Sequence, residues 1–502
     1  MTRVLIANRG EIAVRVIRAC RELGFATVAV YSDCDRAALH VRLADEAHHI
    51  GPSPATESYL RIDTLVDVAK RSGASLVHPG YGFLAENEDF ARACADAGLT
   101  FVGPSPEAMA VMGSKTAARD AAARAGVPVV PGTAAPFAAG VPDATIAADA
   151  RRIGFPLLVK AVAGGGGKGM RTVTAEADLA AAIRAARSEA LSAFADASIY
   201  LERRIALPRH IEIQLMADAH GTVVPFVERE CSIQRRHQKV VEESPSMALD
   251  AATRAEMAEC AARIARGVGY TNAGTIEFLL DRDGRFYFLE MNARLQVEHP
   301  VTEMVTGIDL VHWQLRIARG ERLTVEPARA LTPRAHAIEC RIYAEDPDAG
   351  FLPSPGLVRA LATPSGPGIR DDRGVAPGFT IPVFYDSMIA KLVAWGDTRA
   401  DAIVRLGRAL DEYRVVGVKT TVPFFRWLIR QPSFQEAQFD TTCLDRILAE
   451  RAGTPFVTAT DDEIEDAAIV AALGAWRRRA LADPPQEAGS AWRRAARIEG
   501  LR

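Results

Sequence analysis

Apolar and polar positions run through this chain in two rhythms, and the switches between them mark its elements. Val4-Leu-Ile-Ala7 is a short apolar run that predicts a buried strand. From Glu11 to Leu23 the apolar residues Ile12, Val16, Ile17, Cys20 and Leu23 fall at helical spacing, and Gly24 closes the helix. Thr27-Val-Ala-Val-Tyr31 returns to strand character, so strand, helix and strand form a βαβ unit with parallel pairing. Another strand, Ser75 to His78, leads into Pro79-Gly-Tyr-Gly-Phe-Leu-Ala-Glu-Asn87. A Gly/Pro-rich loop after a parallel strand lies at the end of the sheet where α/β proteins bind ligands. The first loop, Asn8-Arg9-Gly10-Glu11, lacks GxGxxG, which argues against a dinucleotide site there.

Lys115 to Ala125 reads as a helix and Gly126-Val-Pro-Val-Val-Pro-Gly132 as a breaker-rich linker. Residues 131–204 then form a small α/β lobe, with strands at Phe155–Lys160, Met170–Val173 and Ser198–Glu202 around an Ala-rich helix. Strands at Arg209–Met216 and Thr222–Glu230 precede a helix at Ala251–Gly267. Beyond Gly320 comes a strand at His336–Tyr343, a Pro/Gly-dense β region reaching Lys391, and an amphipathic helix at Ala400–Tyr413. After residue 446 a helix runs from Asp461-Asp462-Glu463 to Arg477-Arg478-Arg479, charged to suit its own macrodipole, before a polar tail with Trp492.

The most informative alternation lies between Glu290 and Glu298, where Glu290, Asn292, Arg294, Gln296 and Glu298 interleave with Met291, Ala293, Leu295 and Val297. An extended chain would put all five polar side chains on one face. Upstream, Thr275–Leu280 and Arg285–Glu290 read as two strands joined at Asp283-Gly284. With those two as the central turn residues, Arg282 faces Arg285 and Glu277 faces Glu290. Like charges directly opposite destabilise a sheet unless something neutralises them. Two carboxylates with the Asn292 carbonyl are the hard oxygen ligands that Mg²⁺ prefers, substrate phosphates completing its shell. The plain alternative is a solvated hairpin with a chance pair of acids.

At 502 residues the chain needs more than one core, and its 49% hydrophobic and 25% charged content is that of a soluble globular protein. A net charge of −3 suggests no general affinity for nucleic acid or anionic membranes. Seven cysteines, scattered singly, argue for a reducing cytoplasm and against a disulfide framework or zinc site. The N-terminus runs straight into a strand without a signal peptide, and no apolar run is long enough to span a membrane.

The run Gly164-Gly-Gly-Gly-Lys168-Gly169 fits GxGxxG, yet a strand follows it where a dinucleotide fold needs a helix. Gly169 also stands where a Walker A motif needs Ser or Thr. A hairpin flap remains, whose bare N–H groups would close over phosphates with help from Lys160 and Lys168. Arg235, Arg236, His237 and Lys239 crowd Cys231–Glu243; taken alone, such a run reads as a solvated face. Glu298, near a metal and an Arg, is a candidate general base. His299 reads as a buried, hydrogen-bonded histidine, and His210 is ambiguous by itself.

At these residues the chain closely resembles the biotin carboxylase family, the ATP-grasp component of biotin-dependent carboxylases. The likeness covers roughly residues 1–446. It rests on Asn8–Ala13, His78–Leu84, Gly164–Gly169, Cys231–Glu243, Phe288–Thr302, His336–Glu345 and Tyr385–Ile389, long motifs in the family's order. The resemblance implies an α/β and α+β multidomain fold: a Rossmann-like N-terminal domain (1–113), an ATP-grasp domain (114–330) with a mobile lid at 131–204, a mixed β C-terminal domain (331–446), and a helical tail (447–502) for partner docking.

By position, the resemblance makes Lys115, Lys160, Glu202, His210, Gln234, His237, Glu277 and Glu290 the ATP contacts, with Gly164, Gly165, Gly166 and Gly167 as the lid. Glu277, Glu290 and Asn292 would ligate Mg²⁺ or Mn²⁺. Lys239, Arg294, Gln296 and the Val297 backbone would hold bicarbonate, and Glu298 would take its proton. Carboxyphosphate would then form and break to CO₂ and phosphate, and the phosphate would deprotonate biotin. Arg341 would stabilise the enolate, with Tyr81 and Asp386 seating the biotin.

Arg203 and Val162 depart from residues common in the family, and the tail is longer than in its compact members. With no Met-Lys-Met biotinylation motif and no room for a carboxyltransferase, biotin would arrive on a separate biotin carboxyl carrier protein, alongside a carboxyltransferase subunit, in a homodimer or larger assembly. Another ATP-grasp carboxylate or bicarbonate ligase, and a non-catalytic nucleotide-sensing subunit, are the rival readings.

Overall fold

The first apolar run becomes β1 (Arg3–Ile6), followed by α1 (Gly10–Glu22), β2 (Ala26–Tyr31), β3 (Glu46–His49), β4 (Leu76–His78) and β5 (Thr100–Phe101). The strands form a sheet in the order β3-β2-β1-β4-β5, parallel at every pairing. The helical stripe read from sequence is the face that α1 buries, with Ile12, Val16, Ile17 and Cys20 in one cluster with Val4 and Ile6. The computed structural model describes residues 2–133, 135–162, 170–194, 196–457, 461–482 and 498–500. They divide into two units, Met1–Gly453 and Thr454–Arg502.

Within the first unit, α2 (Lys115–Arg124) leads to a small antiparallel sheet of β6 (Leu157–Ala161), β7 (Met170–Val173) and β8 (Ile199–Arg203), in the order β7-β6-β8, with α3 (Leu179–Phe194) against it. Along β6 the burial alternates: Leu157 and Val159 enter the local core, and Lys160 takes the other face. The glycine run Gly164–Gly169, with Lys168, lies outside the described residues.

The large sheet has nine strands. In chain order they are β9 (Arg209–Ala217), β10 (Val223–Pro225), β11 (Arg229–Arg235), β12 (Gln238–Ser244), β13 (Asn272–Leu280), β14 (Phe286–Asn292), β15 (His336–Tyr343), β16 (Ile369–Arg373) and β17 (Met388–Gly396). In space they run β14-β13-β9-β11-β12-β15-β17-β16, with β10 beside β9. Helix α4 (Ala251–Gly267) packs on β9 and β10, α5 (His299–Thr306) on β15, and α6 (Arg399–Glu412) on β17. Antiparallel pairing of Val241 with Cys340 joins β12 to β15, so strands from beyond residue 330 extend the central sheet.

Two segments differ from their expected form. The strand expected over Thr222–Glu230 breaks into β10 and β11, because Val227 sends its N–H to the Ala330 carbonyl rather than into the ladder. The Cys231–Glu243 run is not a solvated face: it is the β11–β12 hairpin in mid-sheet, with Cys231, Ser232, Ile233 and Val240 through Glu243 buried. Successive residues of both strands are buried, so both faces of the sheet are covered here, which local charge density does not reveal.

The second unit contains α7 (Asp461–Ala482), along which Ile464, Val470, Leu473 and Trp476 are exposed. Trp492 lies outside the described residues, among which no helix is long and apolar enough to cross a membrane.

Candidate active site

The hairpin of β13 and β14 does oppose Glu277 to Glu290, but by a different route from the expected one. Leu280 pairs with Phe286, and Asp281, not Arg282, faces Arg285: the Asp281 N–H donates to the Arg285 carbonyl at 2.8 Å. That is a wider turn, one residue out of the predicted register. A bulge between Glu277 and Phe278 then restores the pair of acids. Bulges re-aim side chains beside active sites in this way.

Glu277 also faces Glu212 on β9, and Glu212 faces Arg229 on β11, so Arg229, Glu212, Glu277 and Glu290 form one row across four strands. Arg229 is fully buried and donates to Glu212, to Gln214 at 3.0 Å and to Thr302 at 2.9 Å. Lys239, from β12, reaches Glu212 at 2.6 Å, Glu277 at 2.8 Å and Glu298 at 2.8 Å. Burial would depress the Lys239 ammonium, but those three carboxylates hold it well above its ordinary pKa. Burial would likewise raise Glu277, yet Lys239 and His210, whose Nε2 lies 3.0 Å from Oε2, hold it below the usual range. Glu290 shifts the other way: burial and the Glu277 charge raise it more than Lys115, His210 and Lys239 lower it, and among the described residues its carboxylate accepts no hydrogen bond. The row therefore ends in a carboxylate whose raised proton affinity the nearby cations do not cancel.

The alternation from Glu290 to Glu298 is not one long strand. β14 stops at Asn292, and the chain bends so that Arg294, Gln296 and Glu298 come round on a turn leading into α5. Convergence survives the bend. Asn292 and Gln296 donate to Glu277 Oε1 at 2.8 and 3.1 Å, and Arg294 donates to Gln296 at 2.9 Å and to the side-chain carbonyl of Asn292 at 3.1 Å. Burial would raise Glu298, but Lys239, Arg341 and Arg229 hold it well below the ordinary carboxylate range. Arg341 lies 3.0 Å from Glu298 and 2.6 Å from Glu242. Burial pushes Glu242 up to about 7.

A cavity of about 770 Å³ opens onto these groups. Of the residues expected around a nucleotide, Lys115, Lys160, Glu202, His210, Gln234, His237, Glu277 and Glu290 all line it, as do Lys239, Asn292, Arg294, Gln296, Val297 and Arg341. Lys160 is ion-paired to Glu202, which also accepts from Arg119 at 3.0 Å. His237 and Arg236 form the two-residue β11–β12 turn, both at positive φ (65° and 50°), the twist that a tight hairpin requires.

Other expected residues are not among the described residues that line the cavity. Gly164, Gly165, Gly166 and Gly167 lie outside the described residues. Tyr81 turns its ring toward Lys391, and Asp386 is exposed, its Oδ1 accepting from the Met388 N–H at 2.8 Å. Glu298 is fully buried behind Lys239. His299 is buried, as read, with Nδ1 2.8 Å from the Gln296 carbonyl. Glu212, Arg229 and Glu242 were not found from sequence. Glu212 had left a trace, since His210, Glu212 and Gln214 alternate on β9.

The comparisons agree along the chain. Residues 1–109 match the family described as Biotin carboxylase, N-terminal domain. Residues 114–326 match Carbamoyl-phosphate synthase L chain, ATP binding domain, and 339–446 match Biotin carboxylase C-terminal domain. The chain is 49% identical to a biotin carboxylase of Halalkalibacterium halodurans over 451 residues, 90% of this chain and 99% of that one. It is 50% identical to a biotin carboxylase of a Nostoc species over 440 residues, 88% of this chain and 98% of that one. A solved structure, the dimeric biotin carboxylase domain of Hydrogenobacter thermophilus 2-oxoglutarate carboxylase with MgADP, ADP and bicarbonate, superposes with a TM-score of 0.85. It shares 44% identity over 91% of this chain and 99% of its own.

Proposed function

This chain belongs to the biotin carboxylase family, and from that premise we propose the part that each group in the cavity plays in ATP- and bicarbonate-dependent carboxylation of biotin. Lys115, Lys160, Glu202, His210, Gln234 and His237 hold the nucleotide, and Gly164–Gly167 close over its phosphates. Glu277, Glu290 and Asn292 take a divalent cation, Mg²⁺ or Mn²⁺. The unshared carboxylate of Glu290, raised by burial and by the Glu277 charge, fits such an ion. A cation held there would offset charge on the transferred phosphoryl group.

Lys239, Arg294, Gln296 and the Val297 backbone hold bicarbonate. Lys239 is engaged by three carboxylates. A bicarbonate oxyanion that draws Lys239 and Arg294 to itself leaves Glu298 with less positive charge, so its proton affinity rises toward the working range. Glu298 then takes the bicarbonate proton, and the freed oxygen attacks the γ-phosphorus to give carboxyphosphate and ADP. Carboxyphosphate breaks to CO₂ and phosphate. The phosphate takes the N1′ proton of biotin, Arg341 stabilises the enolate oxygen, and the ring nitrogen attacks CO₂. Tyr81 and Asp386 seat the biotin, which arrives on a carrier protein in the cytoplasm and leaves for a carboxyltransferase subunit. The working assembly is a homodimer or larger.

The observation that carries these assignments is the three-way grip of Lys239 on Glu212, Glu277 and Glu298 beside the cavity. The test is ATP cleavage that depends on bicarbonate and is stimulated by free biotin. Glu298→Gln is expected to lower kcat by about 10²–10⁴ while ATP binding persists. Nucleotide binding without turnover in the parent chain would instead favour a sensing role.

A further inference from the structure

Lys391 on β17 is fully buried, yet no step above uses it. Its cross-strand partner is Arg341 on β15, so two cations stand directly opposite on one face of the sheet. That arrangement is destabilising unless each has its own partners. Arg341 holds the Glu298 carboxylate at 3.0 Å, and Lys391 donates to the Val297 carbonyl at 3.1 Å. Neighbouring cations thus grip consecutive residues of the catalytic turn, one by side chain and one by backbone.

The ammonium has two further contacts. Glu11 Oε2, in the first turn of α1, lies 3.1 Å away, and the Tyr81 ring centroid lies 5.5 Å away. Glu11 is itself held closely: a Cβ on Gly374 would meet the Glu11 nitrogen at 2.4 Å. One buried lysine therefore touches the first helix, the loop after β4 and the Gln296–Glu298 turn. The carbonyl it holds belongs to the peptide that leads into the general base.

We propose that Lys391 is a positioning residue, anchored by Glu11, that fixes the Val297–Glu298 peptide and so sets bicarbonate binding and the placing of the Glu298 carboxylate. Tyr81 packs on the same ammonium, which couples the biotin-seating loop to that turn. The proposal rests on the bicarbonate reading above.

Two variants test it, each assayed in the full chain by bicarbonate-dependent ATP cleavage, with thermal unfolding and ADP binding alongside. Lys391→Met combined with Glu11→Gln removes the tether without leaving either charge buried alone. Lys391→Arg keeps a donor. The double variant is expected to raise KM for bicarbonate about tenfold and to lower kcat, with KM for ATP within about twofold, and Lys391→Arg to recover most of the loss. An unchanged bicarbonate KM in a folded double variant overturns the proposal. So do equal losses for ATP and bicarbonate, or failure of the variants to fold, either of which marks a purely structural contact. A parent chain without bicarbonate-dependent cleavage would instead defeat the functional reading itself.

Discussion

Two buried ionic clusters occupy different parts of the large sheet and use the same side chains. In the row across β11, β9, β13 and β14, Glu212 and Glu277 are held by Arg229 and Lys239, but Glu290 at its end has no hydrogen bond among the described residues. Where α1 meets β16, Arg15 lies 2.9 Å from Glu303 and 2.8 Å from Asp309, and Arg370 lies 2.7 Å from Glu303 and 2.6 Å from Asp372. There every acid has a cation. The acids shift accordingly: burial would raise both Glu303 and Asp372, but the arginines hold them well below their ordinary values, whereas Glu290 is raised. A cluster in which every acid touches a cation is architecture. A cluster that leaves one acid without an ion pair, at a cavity wall, has a place for a ligand.

The same Glu→Gln change should separate the two. Glu303→Gln removes the buried carboxylate that two guanidinium groups share and is expected to cost about 3 kcal/mol in denaturant unfolding, with ATP cleavage persisting at low temperature. Glu290→Gln is expected to lower kcat by about 10²–10³, yet to leave stability unchanged or raise it by up to about 1 kcal/mol, because it removes a like-charge pair. A stability loss at Glu290 matching that at Glu303 would erase the distinction.

Ligand linkage sharpens the contrast further. At about 100 times its dissociation constant, Mg²⁺ added with ADP should stabilise the parent chain by about 2.7 kcal/mol, seen as a shift in Tm. Chelation should reverse the shift, and Glu290→Gln should abolish the metal-dependent part while Glu303→Gln keeps it.

A further contrast is in pH. Glu11 and Glu242 are pushed up to about 7 from 4.5, chiefly by burial, so the folded chain keeps protons that the unfolded chain gives up. Their contribution to stability is complete below 4.5 and lost as pH rises through about 7. Glu303, depressed from 4.5, contributes in the opposite sense: full above that value, and lost as pH falls through its lower folded pKa. Glu11→Gln should therefore flatten part of the decline between pH 4.5 and about 7 in an unfolding series, and an unaltered slope would refute the assignment.

Much of this was legible in the residues. Helix α1 emerged from apolar spacing, and β15 and α4 fall at the bounds read from sequence, because those signals are local. The opposition of Glu277 and Glu290 was legible too, although through a turn one residue too tight, with the bulge unforeseen. Local sequence does not say where a strand absorbs an extra residue, since that depends on what packs against it. The alternation past Asn292 was chemically right and geometrically wrong: the polar groups converge around a bend, not along a strand.

Alternation and motif order along the chain were thus sufficient to determine the family and many of the polar side chains that line the cavity. Only the tertiary structure decided how their charges balance. Arg229, Glu212 and Lys239 come from three different strands, and Lys391 meets Glu11 from the far end of the chain. Burial and cross-strand neighbours belong to the assembled sheet, and they set both the proton affinity of each acid and which of them is left without an ion pair.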